Sequence, residues 1–465
     1  MTARRVAILA VNPWQSVEPS FHPFSFGAYR VAAAVLGDER TAGVDVRVID
    51  GRGFDEKRWL EELASFDPDV VGASCYVWSL PIFAVVLEQF RKLRPDAWIV
   101  LGGPSARPEM LALPPFRALS QVVDAVVLDF NDAVFPELVR LWPERKLSSI
   151  AGIGVPDGES YRRTHRAPPM PRAFAPHSPF QMGLAPEGLT AHLQTFEGCP
   201  MHCSFCAWGD AERTVSVSPV EFLEAELAAF RRANCSSVMS VDAGLNLSAR
   251  AFENLMEAES RVGFLSKVPF HTEVYPSAAT PQMLEFLRGV AYAEIGLGLQ
   301  SYDPAVTELS RRKFQVPRFE RLVSDLAEFA HVKVELILGL PGDDLATFER
   351  TLERVLALPV SVQVFFCLVL PDAMLKHAPA DWELRFDPIS LQMLSCKGWS
   401  AEELSRARRL LDERSASHGG LVTTQWPRPR DELSEPAQLG RIPAAPMWYF
   451  PNHVQRRVTA ESPAG

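Results

Sequence analysis

The sequence predicts an α/β protein with a doubly wound first domain, a partial barrel of six βα units and a small C-terminal extension. Three observations lead there. Strand-like apolar runs alternate with helical patterns through the first 150 residues, a proline-rich stretch follows, and a second βα series then begins near His192. Alternation of this kind implies parallel sheets with crossover helices. The boundaries read as 1–150, a connector over 151–188, a barrel over 189–395 and an extension over 396–465.

In the first domain the strand signals are Val6–Val11, Val44–Ile49, Val70–Ser74, Trp98–Leu101 and Val123–Leu128. Helical patterns lie between and after them at Ala28–Leu36, Lys57–Ala64, Ile82–Leu93 and Ala133–Leu141. The arrangement is Rossmann-like, and such sheets bind ligands outside the carboxyl ends of their strands. Those ends carry Asn12-Pro13, Asp50-Gly-Arg-Gly53, Ser74-Cys-Tyr-Val-Trp-Ser79 and Gly102-Gly-Pro-Ser105. From about Arg163 to Pro186 the prolines read as a stiff connector.

The second series has strand signals at His192–Phe196, Ser237–Val241, Pro269–Tyr275, Tyr292–Leu299, Val332–Leu338 and Val362–Val369. Helix starts are marked by Ser218-Pro219 with Glu221, and by Thr280-Pro281, each reading as an N-cap followed by an N1 proline. A helix is expected near Ala401–Glu413. The tail Gln425–Pro451 carries Trp448-Tyr-Phe450, expected to pack on the parent domain, with a lid over a substrate as the other reading.

Composition narrows the function classes. The 465 residues are 47% hydrophobic, enough for cored globular units, and the formal net charge is −10. A negative surface argues against nucleic acid or an anionic membrane as the main partner. The opening apolar run ends at Asn12-Pro13, too short for the core of a secretory signal, and no stretch approaches the roughly 20 apolar residues of a membrane span. Seven cysteines without a regular framework fit free thiols in a reducing, cytoplasmic compartment.

The most specific signal is Glu197-Gly-Cys-Pro-Met-His-Cys-Ser-Phe-Cys-Ala-Trp-Gly209, which spaces Cys199, Cys203 and Cys206 as CxxxCxxC. Three thiolates this close can hold one iron–sulfur cluster and leave its fourth iron open to a non-protein ligand. Structural zinc is the competing reading, with His202 as fourth ligand, but zinc sites usually close with paired ligand motifs and no second pair lies nearby. Phe205 and Trp208 suit an apolar cluster pocket. Cys75, Cys235, Cys367 and Cys396 are widely separated and read as buried small hydrophobes, so one cluster is expected.

This spacing, set just after the first barrel strand, resembles that of the radical S-adenosylmethionine (SAM) superfamily, and over roughly residues 1–375 the chain resembles members with an N-terminal cobalamin-binding domain. Glu294-Ile-Gly-Leu-Gly-Leu-Gln-Ser301 looks like the family's fourth-strand motif, and Glu335-Leu-Ile-Leu-Gly-Leu-Pro-Gly342 like its fifth-strand glycine motif beside adenine. Val362-Gln-Val-Phe-Phe and Leu370-Pro-Asp-Ala-Met374 look like the sixth. The resemblance implies a [4Fe–4S] cluster on the three cysteines, SAM on the fourth iron, and cleavage of SAM to a 5′-deoxyadenosyl radical. It implies SAM contacts from Phe205, Trp208, Asp242, Glu273, Gln300, Ser301 and Gly339.

For cobalamin the resemblance points to Asn12, Arg52, Ser74, Trp78, Gly102 and Gly103. Two departures stand out. Where relatives that ligate cobalt from below have DxHxxG, this chain reads Asp50-Gly-Arg52-Gly-Phe-Asp55, and a guanidinium offers no lone pair to cobalt. Asp129-Phe-Asn-Asp132 stands where the family commonly has Gly-Glu-Gly-Glu.

The function implied is a cobalamin-dependent radical SAM methyltransferase acting on a carbon or phosphorus centre of a small natural-product intermediate, supplied with electrons by a flavodoxin or ferredoxin. Alternatives are radical rearrangement or cyclisation without methyl transfer, a first domain that binds a substrate or peptide in place of corrin, and a non-enzymatic electron carrier.

Overall fold

The structure, a computed structural model, describes residues 4–12, 22, 24–51, 56–129, 132–144, 146–168, 171, 173, 175–208, 215–312, 315–424 and 437–452. Its first sheet comprises β1 (Arg5–Val11), β2 (Asp45–Gly51), β3 (Val70–Ser74), β4 (Trp98–Gly102), β5 (Ala125–Val127), β6 (Ile153–Asp157) and β7 (Ser160–Arg163). The strand order is β2-β1-β3-β4-β5-β6-β7, parallel through β5 and antiparallel beyond. Alternate residues of β1 enter two separate cores. Ala7, Leu9 and Val11 pack with Trp59 and Phe83, and Val6, Ile8 and Ala10 pack with Ala28 and Phe135. Helices therefore cover both faces, as the period-two pattern requires.

β6 and β7 take in residues that the sequence assigns to the connector. Gly158, at φ +63°, lets the chain turn between them. Their strand signal is weak because β7 is an exposed edge, where the charges of Arg162 and Arg163 blunt further pairing. The proline-rich chain continues only after this hairpin.

The second sheet holds β8 (Thr190–Leu193), β11 (Ser237–Ser240), β12 (Pro269–Glu273), β13 (Tyr292–Gln300), β14 (His331–Leu338) and β15 (Ser361–Phe366), all parallel and adjacent in chain order. A small hairpin pairs β9 (Phe196–Glu197) with β10 (Ser216–Val217), and another pairs β16 (Arg385–Phe386) with β17 (Met393–Ser395). β19 (Pro446–Phe450) then extends the barrel sheet antiparallel to β15, and β18 (Leu421–Thr424) pairs antiparallel with β19 at the edge. The aromatic triplet is thus a strand: Trp448 and Phe450 are buried, and the Trp448 Nε1 donates to Asp412 at 2.6 Å. The lid reading is set aside.

Caps follow their chemistry where the side chain can reach. Thr280 Oγ1 accepts from the Met283 N–H ahead of the helix Pro281–Arg288, and Ser400 with Glu403 forms a capping box on Ala401–Ser417. Ser218 does not cap Val220–Arg232. Pro219 holds that position, and Ser218 bonds back to Thr195 and Gln194 of the barrel's first strand segment.

Glu226 of that helix is buried and bound by Ser178 Oγ at 2.8 Å and Gln181 Nε2 at 2.9 Å. Burial still pushes its carboxyl up to about 7. A folded-state value above the unfolded one means that the folded form holds the extra proton, so stability present below about pH 4.5 is lost as pH rises through 7. Glu226→Gln is expected to flatten urea-derived stability between pH 5 and 8 and to stabilise the protein at pH 8 by roughly 2 kcal/mol. An unchanged pH slope would refute the assignment.

Candidate functional site

The site lies where the carboxyl ends of both sheets meet. On the barrel side, β8 feeds the cysteine loop, and Asp242, at the end of β11, ties its root. The carboxylate accepts from the Thr195 N–H and Oγ1 at 2.8 and 2.7 Å, from Phe196 N–H at 3.2 Å and from Ser240 Oγ at 3.0 Å. Burial nevertheless raises it to about 6. Both oxygens are engaged by protein donors, so Asp242 orients the strand end ahead of Glu197.

Cys199 and Cys203 are buried, and Cys206 is partly so. Burial pushes the Cys206 thiol up to about 11, with the charges of Cys203 and Cys199 adding and Arg312 opposing. The Cys199 thiol is raised by burial as well. Metal loading would therefore displace protons. Arg312 is the local countercharge: Nη1 lies 3.7 Å from Cys203 Sγ, Nε and Nη2 donate to Gly298 O at 3.0 and 2.6 Å, and the guanidinium sits 4.9 Å over the Tyr275 ring. Tyr275 is locked to Asn246 by reciprocal backbone–amide bonds at 2.8 and 2.9 Å.

Among the described residues no group of three or more His, Cys, Asp or Glu converges on a single ion, and His202 is exposed. A cubane asks for something else, since each thiolate binds its own iron and the sulfurs stay apart. The three thiols on one loop, with a guanidinium beside them, fit that donor set. A cleft of about 600 Å³ opens against Pro200 and Met201 and is walled by Leu247, Tyr275, Glu308 and Arg311.

The barrel's inner face is polar where a closed barrel would be packed with aliphatics. Gly296 leaves room for Glu273, since a Cβ there would lie 2.0 Å from its Oε1. Burial and the neighbouring Glu335 raise Glu273 well above the usual carboxylate range, and Glu335 is raised too. A side-chain hydrogen bond to Glu273 partly offsets the burial that raises Glu335. Below them Lys333 pairs with Glu294, and the Nδ1 atoms of His271 and His331 each lie 3.6 Å from that carboxylate. Gln300 follows a bulge in β13 and adopts φ +71°, with Oε1 buried and without a partner. Ser301 is fully buried, its Oγ accepting from Asp303 N–H at 3.2 Å. Gly339 turns at φ +92° after β14, where Cys396 approaches its carbonyl. Phe205 packs against the barrel core, whereas Trp208 is 43% exposed.

On the first sheet, β1 and β3 flank the point where strand order reverses, and the crevice there is bridged by Trp78, whose Nε1 donates to Val11 O at 3.1 Å and whose ring stacks on Tyr76. Asn12, Ser74, Gly102 and Gly103 line the same edge. Arg52 lies outside the described residues.

A family model for the B12 binding domain matches residues 25–135, and one for the radical SAM superfamily matches 193–355. The two matches fall on one chain, the first over the Rossmann-like sheet and the second over the barrel. The radical SAM match opens on β8 and closes after β14, so it encloses the cysteine loop. The chain is 28% identical over 374 residues to 2-(S-pantetheinyl)-carbapenam-3-carboxylate methyltransferase of Streptantibioticus cattleyicolor, covering 73% of this chain and 54% of that protein. It is 27% identical over 383 residues to the cobalamin-dependent radical SAM methyltransferase TokK of Streptomyces tokunonensis, covering 75% and 55%. The chain thus spans about half the length of these relatives. The fold is shared with the radical SAM methyltransferase TsrM of Kitasatospora setae, solved with cobalamin and a [4Fe–4S] cluster, at a TM-score of 0.61 and 20% identity over 80% of this chain and 77% of that one.

In the region that matches the B12 binding model, Gly103 is required by geometry. Its φ is +93°, and a Cβ would lie 2.7 Å from Cys75 O. Gly103→Ala is expected to destabilise the domain by about 2 kcal/mol or more and to reduce cobalt retained per chain. Wild-type melting together with wild-type cobalt content would count against it.

Sequence reading missed Arg312, Tyr275, Arg30 and Arg107. Arg312 meets Cys203 across 109 residues, Arg30 meets Glu197 across 167 and Arg107 meets Asp372 across 265, and an isolated arginine carries no local periodicity. The doublet Arg311-Arg312 was the one visible sign.

Proposed function

We propose that this chain is a cobalamin-dependent radical SAM methyltransferase that acts on a carbon, or phosphorus, centre of a small natural-product intermediate in the cytoplasm. The observation that carries the reading is that one chain holds a B12-binding domain and a radical SAM core whose strand ends face a common site. The names of two relatives aligned across both domains favour methyl transfer on a small molecule. Among the described residues no helix is long and apolar enough to cross a membrane.

In this reading Cys199, Cys203 and Cys206 hold the cluster, and Phe205, Gln300, Ser301, Gly339 and the Glu273–Glu335 pair face SAM. Asp242 positions the loop, and Trp208 sits at its rim. Asn12, Arg52, Ser74, Trp78, Gly102 and Gly103 face cobalamin. Bound there, the cofactors supply the methyl group, its relay and the radical that activates the substrate. The protein's share is positional. Arg312 holds positive charge against the thiolates, Gln300 offers a buried acceptor, and burial, by raising the Glu273 and Glu335 carboxyls, lessens the negative charge of that wall. Electrons would come from a flavodoxin or ferredoxin.

The test is anaerobic reconstitution in cobalamin-supplemented cells, with iron, cobalt and the visible spectrum read on one sample, followed by product mass after incubation with SAM and candidate substrates. About four irons, near-stoichiometric corrin and a gain of one methyl group are expected. Four irons with no corrin would overturn the methyl-relay reading, and turnover without mass gain would turn it toward rearrangement.

A further inference from the structure

Arg30 stands on the first domain's helix Phe26–Gly37, yet its guanidinium reaches the residues that lead into the cysteine loop. Nε and Nη2 donate to Asp132 Oδ2 at 3.2 and 3.0 Å, and Nη1 donates to Gln194 Oε1 at 2.6 Å and to Glu197 Oε2 at 3.2 Å. Gln194 Nε2 donates to the same Glu197 oxygen at 2.9 Å. The Arg30 and Glu197 side chains are only 15% and 13% exposed. Asp132 follows β5 at the carboxyl edge of the first sheet, and Glu197 lies two residues before Cys199. One planar, permanently charged group therefore joins a loop of each half of the site.

We infer that Arg30 is a positioning residue that fixes the separation between the carboxyl edge of the B12-binding domain and the cysteine loop, and so between a corrin at one and a cluster at the other. The inference rests on the proposed cobalamin reading. Arg30 is not what keeps the domains together. His22 and Thr190 exchange hydrogen bonds, Arg107 pairs with Asp372, and Leu391, Ile442 and Ala445 join the first domain's core. Without Arg30, Asp132 and Glu197 would face each other as like charges with no cation between them. The loops would then drift apart while the domains stay docked.

The test uses the reconstituted holoenzyme with Co(II) corrin and reduced cluster, and reads their separation by pulsed electron paramagnetic resonance. Arg30→Met is expected to keep wild-type iron and cobalt per chain while the distance distribution broadens and methylated product per SAM cleaved falls about tenfold. Arg30→Lys keeps the charge but not the fork, and should fall between; it is the readout if Arg30→Met does not fold. A wild-type distribution in either folded variant would overturn the inference. If the wild-type protein holds no cobalt, the cobalamin reading fails by itself. Arg30 is then judged on the cluster signal alone, where a SAM-dependent spectrum identical in Arg30→Met and wild type would overturn the positioning role.

Discussion

Replacing any one of Cys199, Cys203 and Cys206 by alanine is expected to take iron from about four per chain to near none and to abolish turnover, the largest effect any single substitution here should produce. Two thiolates cannot hold a cubane that already leaves one iron to an exchangeable ligand. No spare ligand stands near, because Cys75, Cys235, Cys367 and Cys396 are buried elsewhere in the fold. His202→Ala is the matched control. Its ring is exposed, so iron content and the SAM-dependent change in the reduced-cluster spectrum should match wild type. Loss of metal in His202→Ala with full retention in one cysteine variant would reverse the ligand assignment. Anaerobic iron analysis and low-temperature spectra decide between the two.

The second large effect is expected at Arg107. Its guanidinium is buried between the domains, with Nε donating to Asp372 Oδ2 at 2.6 Å and Nη1 to the carbonyls of Gly103 and Ala106 at 3.2 and 3.0 Å. The two side chains are 7% and 13% exposed. Arg107→Met leaves Asp372 as a buried charge without its cation, and a broken buried pair of this kind costs roughly 3–5 kcal/mol. The pair connects the Gly103 turn to the segment after β15, where Leu368 and Leu370 pack against the first domain's core. Urea unfolding should accordingly show the first domain melting earlier and separately from the barrel. Arg107→Met/Asp372→Leu should recover much of the loss, since removing both charges also removes the unpaired one. A single variant within about 1 kcal/mol of wild type would exclude an energetic role for the pair.

The framework of both sheets was legible in the residues because βαβ units repeat a local pattern. Val70–Ser74 is the same segment in sequence and structure, and the remaining parallel strands differ by a few residues at their ends. The hairpin Ile153–Arg163 escaped because an edge strand need not alternate apolar and polar residues when one side meets water. Ser218 was misplaced as a cap for a related reason: its hydroxyl answers to Gln194 across the barrel, a partner 24 residues away. Asp242 was legible as a polar residue at a strand end, but that it orients the cysteine loop depends on Thr195 and Phe196 arriving from another strand.

What the sequence by itself determined is the chemistry on offer: three thiols at CxxxCxxC spacing, glycines where backbone must turn at positive φ, and two βα series of parallel strands. Spacing within one loop and periodicity within one element are local, and a linear chain carries them in full. Only the tertiary structure decided how the two halves of the site are held in register. Arg30 meets Glu197 and Arg107 meets Asp372 across 167 and 265 residues, and Glu273 comes beside Glu335 because their strands flank β13 on either side. Such pairings arise when separate elements exclude water together, so their charges acquire partners, and raised or lowered proton affinities, only once the sheets have closed.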